Sequence, residues 1–208
     1  TRVVQILSRR RKNNPLLVGE SGVGKTAVAE GLARLIVEQQ VPDVLSDSVI
    51  YSLDLGALLA GTKYRGDFEQ RLKNILQGVA ERNARGDRPP IILGIDEAHT
   101  LVGLGSTRDG AQDASQFLKT YLQEGNLWTV MFTTEDEYAK HIEPDGALVR
   151  RTQTLKVNEP SLDDKIQRPR HWLSVERVNR CLESESHLAS YFVYLQDCRI
   201  PDDKFTKF

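Results

Sequence analysis

Residues 16–26, Leu-Leu-Val-Gly-Glu-Ser-Gly-Val-Gly-Lys-Thr, leave few folds open to this chain. Three apolar residues read as a strand entering a glycine-rich turn, and the turn opens into a helix. Gly19, Glu20, Ser21, Gly22, Val23, Gly24, Lys25 and Thr26 fit GxxxxGK[ST] without mismatch. The spacing has a physical reason. Glycines at 19, 22 and 24 let successive backbone N–H groups point inward at a polyphosphate. A helix starting near Gly24 adds the positive end of its dipole. Lys25 supplies a cation for the β- and γ-phosphates, and the Thr26 hydroxyl suits Mg²⁺. The stretch implies a bound nucleoside triphosphate.

The rest of the chain is laid out around that turn. Val3, Ile6 and Leu7, then Arg9, Arg10, Arg11 and Lys12, read as a helix over 2–12 whose cations suit its C-terminal end. Val28, Leu32, Leu35 and Ile36 mark a core-facing helical stripe. Residues 49–55 form a second strand. Residues 56–66 read as a loop in which Lys63-Tyr64-Arg65-Gly66 sets an aromatic between two cations. Such a tyrosine can lie back on the core or grip a passing chain, and the loop alone does not decide. Phe68, Leu72, Ile75, Leu76 and Val79 define an amphipathic helix ending near Gly86.

Residues 91–97, Ile-Ile-Leu-Gly-Ile-Asp-Glu, are an apolar run with two acids at its end, as in a buried parallel strand carrying functional groups at its C-terminal edge. Asp96 suits the water shell of Mg²⁺, and Glu97 is placed to polarise an attacking water. His99 reads as a structural histidine. Residues 103–110 form a glycine-rich loop, followed by a helix through Ala114, Phe117, Leu118, Tyr121 and Leu122. Residues 127–134 are another buried strand; Thr134 can bond the attacking water or cap the next helix, and both roles are compatible. Arg150 and Arg151 end a short helix before a last strand over 153–157. Strands alternate with helices throughout, which implies an α/β fold with a parallel sheet covered on both faces.

A net charge of −1 in 208 residues excludes a global basic field for nucleic acid. Cys181 and Cys198 lack metal-ligand spacing and suit a reducing compartment. No apolar run reaches membrane-spanning length, so a cytoplasmic chain is expected. It opens inside a helix without Met, as a fragment of a longer protein would.

Five motifs in order carry a resemblance: Gly-Glu-Ser-Gly-Val-Gly-Lys-Thr, Ala-Gly-Thr-Lys-Tyr-Arg-Gly-Asp-Phe-Glu, Ile-Asp-Glu-Ala-His-Thr, Thr-Thr-Glu-Asp-Glu-Tyr and Ala-Leu-Val-Arg-Arg. They resemble the first AAA+ module of the Clp-type unfoldases and disaggregases, closest to ClpA, with ClpB and ClpV as relatives. The resemblance implies a three-layer αβα P-loop fold with a five-stranded parallel sheet over 1–160 and a small, divergent helical lid over 161–208. It also implies an ATP-hydrolysing, Mg²⁺-dependent homohexamer that threads unfolded or tagged polypeptide through a pore, with no nucleic acid or membrane partner. A compartmental protease and an adaptor are partners the family can add. On that reading Tyr64 is the pore-loop aromatic, 103–110 is a second pore loop, and Thr134 is the sensor. Arg150 and Arg151 are then arginine fingers for the neighbouring subunit. Gly94, Phe132 and Thr152 depart from the family pattern, so packing near the sensor and fingers is expected to differ. In the lid, Arg168-Pro169-Arg170 would interrupt a helix, because proline removes a backbone donor.

Two other classes fit part of the sequence. Asp96-Glu97-Ala98-His99 also spells the box of DEAH-type RNA helicases, although Phe132-Thr133-Thr134 stands where Ser-Ala-Thr would be expected. A module that binds ATP mainly for structure is the other alternative, and intact Lys25, Asp96, Glu97 and Arg150 speak against it.

Overall fold

The computed structural model describes residues 2–60, 65–86, 89–103 and 114–158. Lys63, Tyr64, most of the 103–110 loop, both cysteines and the expected lid at 161–208 lie outside them, as do the side chains of Thr26 and Arg65.

Five strands form one parallel sheet in the order β2-β3-β4-β1-β5: β1 (Asn14–Val18), β2 (Val49–Leu53), β3 (Ile91–Ile95), β4 (Trp128–Thr133) and β5 (Thr152–Lys156). All of β1 and β3 is buried, as parallel strands covered on two faces require. From β1 the chain crosses to β2 at one edge, returns through β3 and β4, and passes β1 to reach β5 at the other edge.

Side chains alternate across the pleat, so each strand feeds two cores. On one face Leu17, Ile92, Val130 and Phe132 pack with Val3, Val4 and Leu7 of α1 (Arg2–Leu7) and Leu32 and Ile36 of α2 (Lys25–Val37). Phe132, where the family pattern has a small residue, is therefore a core residue only 6% exposed. On the other side α4 (Arg65–Arg85) buries Phe68, Leu72, Ile75, Leu76, Val79 and Ala80 at i, i+4, i+7 spacing, and packs on α6 (Ala114–Glu124). A side chain at Gly94 would make only ordinary contact, with Tyr51 O at 3.6 Å, so its backbone surroundings do not demand glycine.

Two segments differ from their sequence reading. The first helix ends at Leu7 and does not run to Lys12. The Ser8 hydroxyl donates to Val4 O at 2.8 Å and Arg9 N–H closes on Ile6 O at 3.0 Å. The buried face ends at Leu7, and Lys12 takes a left-handed φ of 52° before β1 begins. Residues 56–66 are also largely helical: α3 (Leu55–Ala60) fills the first half, and Arg65 and Gly66 already belong to α4. Asp54 explains the change, because its carboxylate accepts the Ala57 N–H at 2.9 Å and caps α3. Leu55 and Leu58, one turn apart, are buried. The second strand consequently stops at Leu53.

The sheet carries one buried polar clasp. Asn14, fully buried, accepts from Thr129 N–H at 2.8 Å and from the Thr129 hydroxyl at 3.0 Å. Asn14→Leu keeps the branching of the side chain and orphans both donors, each worth ~1–3 kcal/mol when buried and unpaired. We expect a loss of about 3 kcal/mol in the urea unfolding free energy; an unchanged midpoint would mean the clasp carries no net stability.

Candidate functional site

The C-terminal ends of β1, β3 and β4 meet in one cleft, as expected for a parallel α/β sheet. The cleft has a volume of about 290 Å³ and is lined by Ser21, Gly22, Gly24, Lys25, Asp96, Glu97, His99, Thr133 and Thr134. A larger groove of about 620 Å³ lies between α1 and α2, but Val3, Val4, Val28, Leu32 and Leu35 dominate its walls. Only the smaller cleft combines backbone amides, a cation and two carboxylates.

Its floor is the turn between β1 and α2. Gly19 lies so close under β5 that an added Cβ would stand 2.3 Å from Val157 O, a clash with backbone that only glycine avoids. Gly24, the residue before α2, adopts a left-handed φ of 92°, which glycine reaches without strain. Lys25 opens the helix and its ammonium donates to Gly19 O and Glu20 O at 2.7 Å each. Three backbone bonds tie the surrounding strand ends: Gly19 N–H to Thr133 O (3.3 Å), Ala98 N–H to Phe132 O (2.9 Å) and Val157 N–H to Val18 O (2.8 Å).

Asp96 and Glu97 follow β3 and are exposed. Asp96 Oδ1 accepts the Glu97 N–H at 2.9 Å. Glu97 has φ 47°, a left-handed conformation that a residue with a side chain adopts at some cost, and such strain gathers at functional sites. Among the described residues no group of three or more His, Cys, Asp or Glu side chains forms a metal-binding cluster. The donors present are hard oxygens from few side chains, which fits Mg²⁺ held largely by phosphate and water.

Thr134 caps α7 (Glu135–Glu137), accepting the Glu137 N–H at 3.3 Å, and also lines the cleft. The sequence reading passed over Thr133 and gave His99 only a structural place. The structure brings both to the cleft wall, His99 as the first residue of α5 (His99–Gly103), with its Nδ1 3.1 Å from the buried Thr133 hydroxyl. Glu137 Oε2 lies 3.2 Å from His141 Nε2 and 3.9 Å from His99 Nε2, and the two rings stack at 6.1 Å. The paired hydroxyls closing β4 were the available signal for Thr133; the histidine pair had none.

Arg150 and Arg151 occupy the last turn of α8 (Gly146–Arg151) and do not line the cleft. Arg150 Nε donates to Gly146 O at 2.9 Å. Arg151 donates to Ala147 O at 2.8 Å and, through its other terminal nitrogen, to Gln123 Oε1. Thr152, in a place where the family has an aromatic residue, donates its hydroxyl to Leu148 O at 3.1 Å and closes the helix.

The profile of the ATPase family associated with various cellular activities (AAA) matches residues 15–157. A ClpA homolog protein from Fuscovulum blasticum is 55% identical over 166 residues, 80% of this chain and 20% of that protein. The chaperone protein ClpB of Bdellovibrio bacteriovorus is 57% identical over 165 residues, 79% of this chain and 19% of that one. The chain thus spans about a fifth of the length of these relatives. A closed-state cryo-EM reconstruction of Hsp104 with ATPγS and FITC casein superposes with a TM-score of 0.68 at 42% identity, covering 80% of this chain and 28% of that one. The chain belongs to the AAA family of ATPases, as a nucleotide-binding module similar to those of ClpA-, ClpB- and Hsp104-type proteins.

Proposed function

We propose that this module hydrolyses ATP to drive a Clp-type protein unfoldase or disaggregase. The observation that carries the reading is the convergence of Lys25, Asp96, Glu97 and Thr134 on one cleft while Arg150 and Arg151 stand outside it. Four groups suited to bind and cleave a triphosphate share a site, and the arginines are left to serve another subunit. The phosphate-loop amides and Lys25 hold the β- and γ-phosphates, Glu97 takes a proton from the attacking water, and Thr134 orients that water. Thr26 and Asp96 are the residues that would hold Mg²⁺, which when bound offsets charge on the phosphate oxygens. Arg150 and Arg151 act in trans across a homohexameric ring.

Lys63 and Tyr64 carry the substrate-gripping segment, with Arg65 and Gly66 opening α4 directly after it, and 103–110 forms a second loop. Residues 1–160 are the nucleotide-binding subdomain and 161–208 the helical lid. The substrates are unfolded or tagged polypeptides, in the cytoplasm, with a protease and adaptor as further partners. No described helix is long and apolar enough to cross a membrane.

ATP turnover per subunit across a protein concentration series, with unfolded protein or single-stranded RNA added, tests this. We expect turnover to climb with concentration and to rise further with unfolded protein. A concentration-independent rate stimulated only by RNA would replace the reading with a helicase one.

A further inference from the structure

One face of α6 holds α8 at both of its ends. Lys119 and Gln123 are one helical turn apart on α6, so their side chains project in the same direction. Lys119, with its side chain only 11% exposed, forms an ion pair with Asp145 Oδ2 at the head of α8. Gln123 meets the guanidinium of Arg151 at its tail. Asp145 joins the two helices. While Oδ2 takes the ammonium, Oδ1 accepts the Ala147 and Leu148 N–H groups at 3.1 Å each and caps α8. Burial by itself lifts the Asp145 carboxyl. The Lys119 hydrogen bond, the Leu148 N–H, the Lys119 charge and the Ala147 N–H outweigh it and hold the group below the ordinary carboxylate range. The clamp is therefore ionised at neutral pH, and its stabilising contribution is lost only as acid carries the pH down through that lowered value.

A helix of six residues, of which Leu148 alone is buried, is too short to hold its own direction. Its arginines point consistently only if something outside the helix fixes it. We propose that Lys119, Gln123 and Asp145 are positioning residues for Arg150 and Arg151, setting where the arginines emerge and thereby the rate of ATP cleavage in the adjoining subunit. The assignment rests on the trans reading of those arginines. None of the three lines the cleft of their own subunit, so their loss leaves nucleotide affinity in place.

The test uses the whole protein and subunit mixing. Lys119→Met should lower ATP turnover by about 10²-fold, as a small misplacement of a catalytic group can, with unchanged affinity for a non-hydrolysable ATP analogue. Gln123→Ala, at an exposed side chain, carries the same test without risk to the core and should give a smaller loss. Glu97→Gln subunits then supply intact arginines beside a dead pocket. Doping them into Lys119→Met rings should raise turnover per Lys119→Met subunit, as it should for Arg150→Ala rings. Lys119→Arg, which keeps the ion pair, should restore most of the rate. Two results overturn the proposal while sparing the trans arginines: unchanged turnover in both clamp variants, or relief by doping of Arg150→Ala alone. If Arg150→Ala rings are not relieved either, the trans reading fails and takes this assignment with it.

Discussion

Arg150→Ala should reduce ATP turnover by ~10³-fold or more while ATP still binds with its normal affinity. The size follows from what an arginine at a γ-phosphate does: it neutralises charge that grows in the transition state. The site of the change makes the result readable. Arg150 is exposed, and its described hydrogen bond goes to a carbonyl of its own helix, Gly146 O. Substitution at such a position moves stability by only about ±0.5 kcal/mol, so a large kinetic loss cannot be assigned to unfolding. Nor does Arg150 line the cleft beside Lys25, so the loss cannot be weaker binding in the same subunit. Arg151 is a poorer probe, because it is half-buried and bound to Gln123. Turnover measured at saturating ATP, beside equilibrium binding of a nucleotide analogue, separates the two effects. Parental turnover would remove Arg150 from the chemistry.

Glu97→Gln should trap ATP. Glutamine keeps the shape and exposure of the side chain and tolerates the backbone as well as glutamate does, but it cannot accept a proton at neutral pH. General-base assistance contributes ~10²–10⁴-fold, and the loss should fall in that range in single-turnover hydrolysis. Affinity should hold, because the phosphate-loop amides and Lys25 are untouched. Hydrolysis at the parental rate would sink the base assignment and leave Glu97 as a strained residue without a role. The neighbouring Asp96 cannot easily substitute, since one of its oxygens already accepts the Glu97 N–H.

Much of the architecture was legible because parallel strands advertise themselves. Ile91-Ile92-Leu93 and Val130-Met131-Phe132 are continuous apolar runs, and the helices between them show stripes such as Phe68, Leu72, Ile75 and Leu76. What the residues left hidden was short or non-local. Helix α3 contains Gly56 and lasts under two turns, so its apolar pattern never completes a stripe; the Asp54 cap was its one visible signal. The end of α1 at Leu7 depended on where burial stops. Asn14 and Pro15 begin β1 although neither residue type favours a strand, and pairing with β4 starts only at Leu16. In the cleft, Ser21, Gly22, Gly24, Lys25, Asp96, Glu97 and Thr134 could be named from motifs alone. The bonds from His99 to Thr133 and from Lys119 to Asp145 could not, because they join segments whose approach only the sheet order determines.

That sheet order has a consequence for how the molecule comes into being. Strand β1 is synthesised before the other four strands of the sheet, yet its partners are the last two: Leu16 aligns with Met131 of β4, and Asn14 with Thr152 of β5. The phosphate loop takes its shape from those late arrivals, through Gly19 beneath Val157 and against Thr133. Contacts so distant along the chain are slow to form. A nascent chain that ends before β5 therefore carries the whole phosphate-binding motif without the scaffold that bends it, and nucleotide can reward only folding that is already finished.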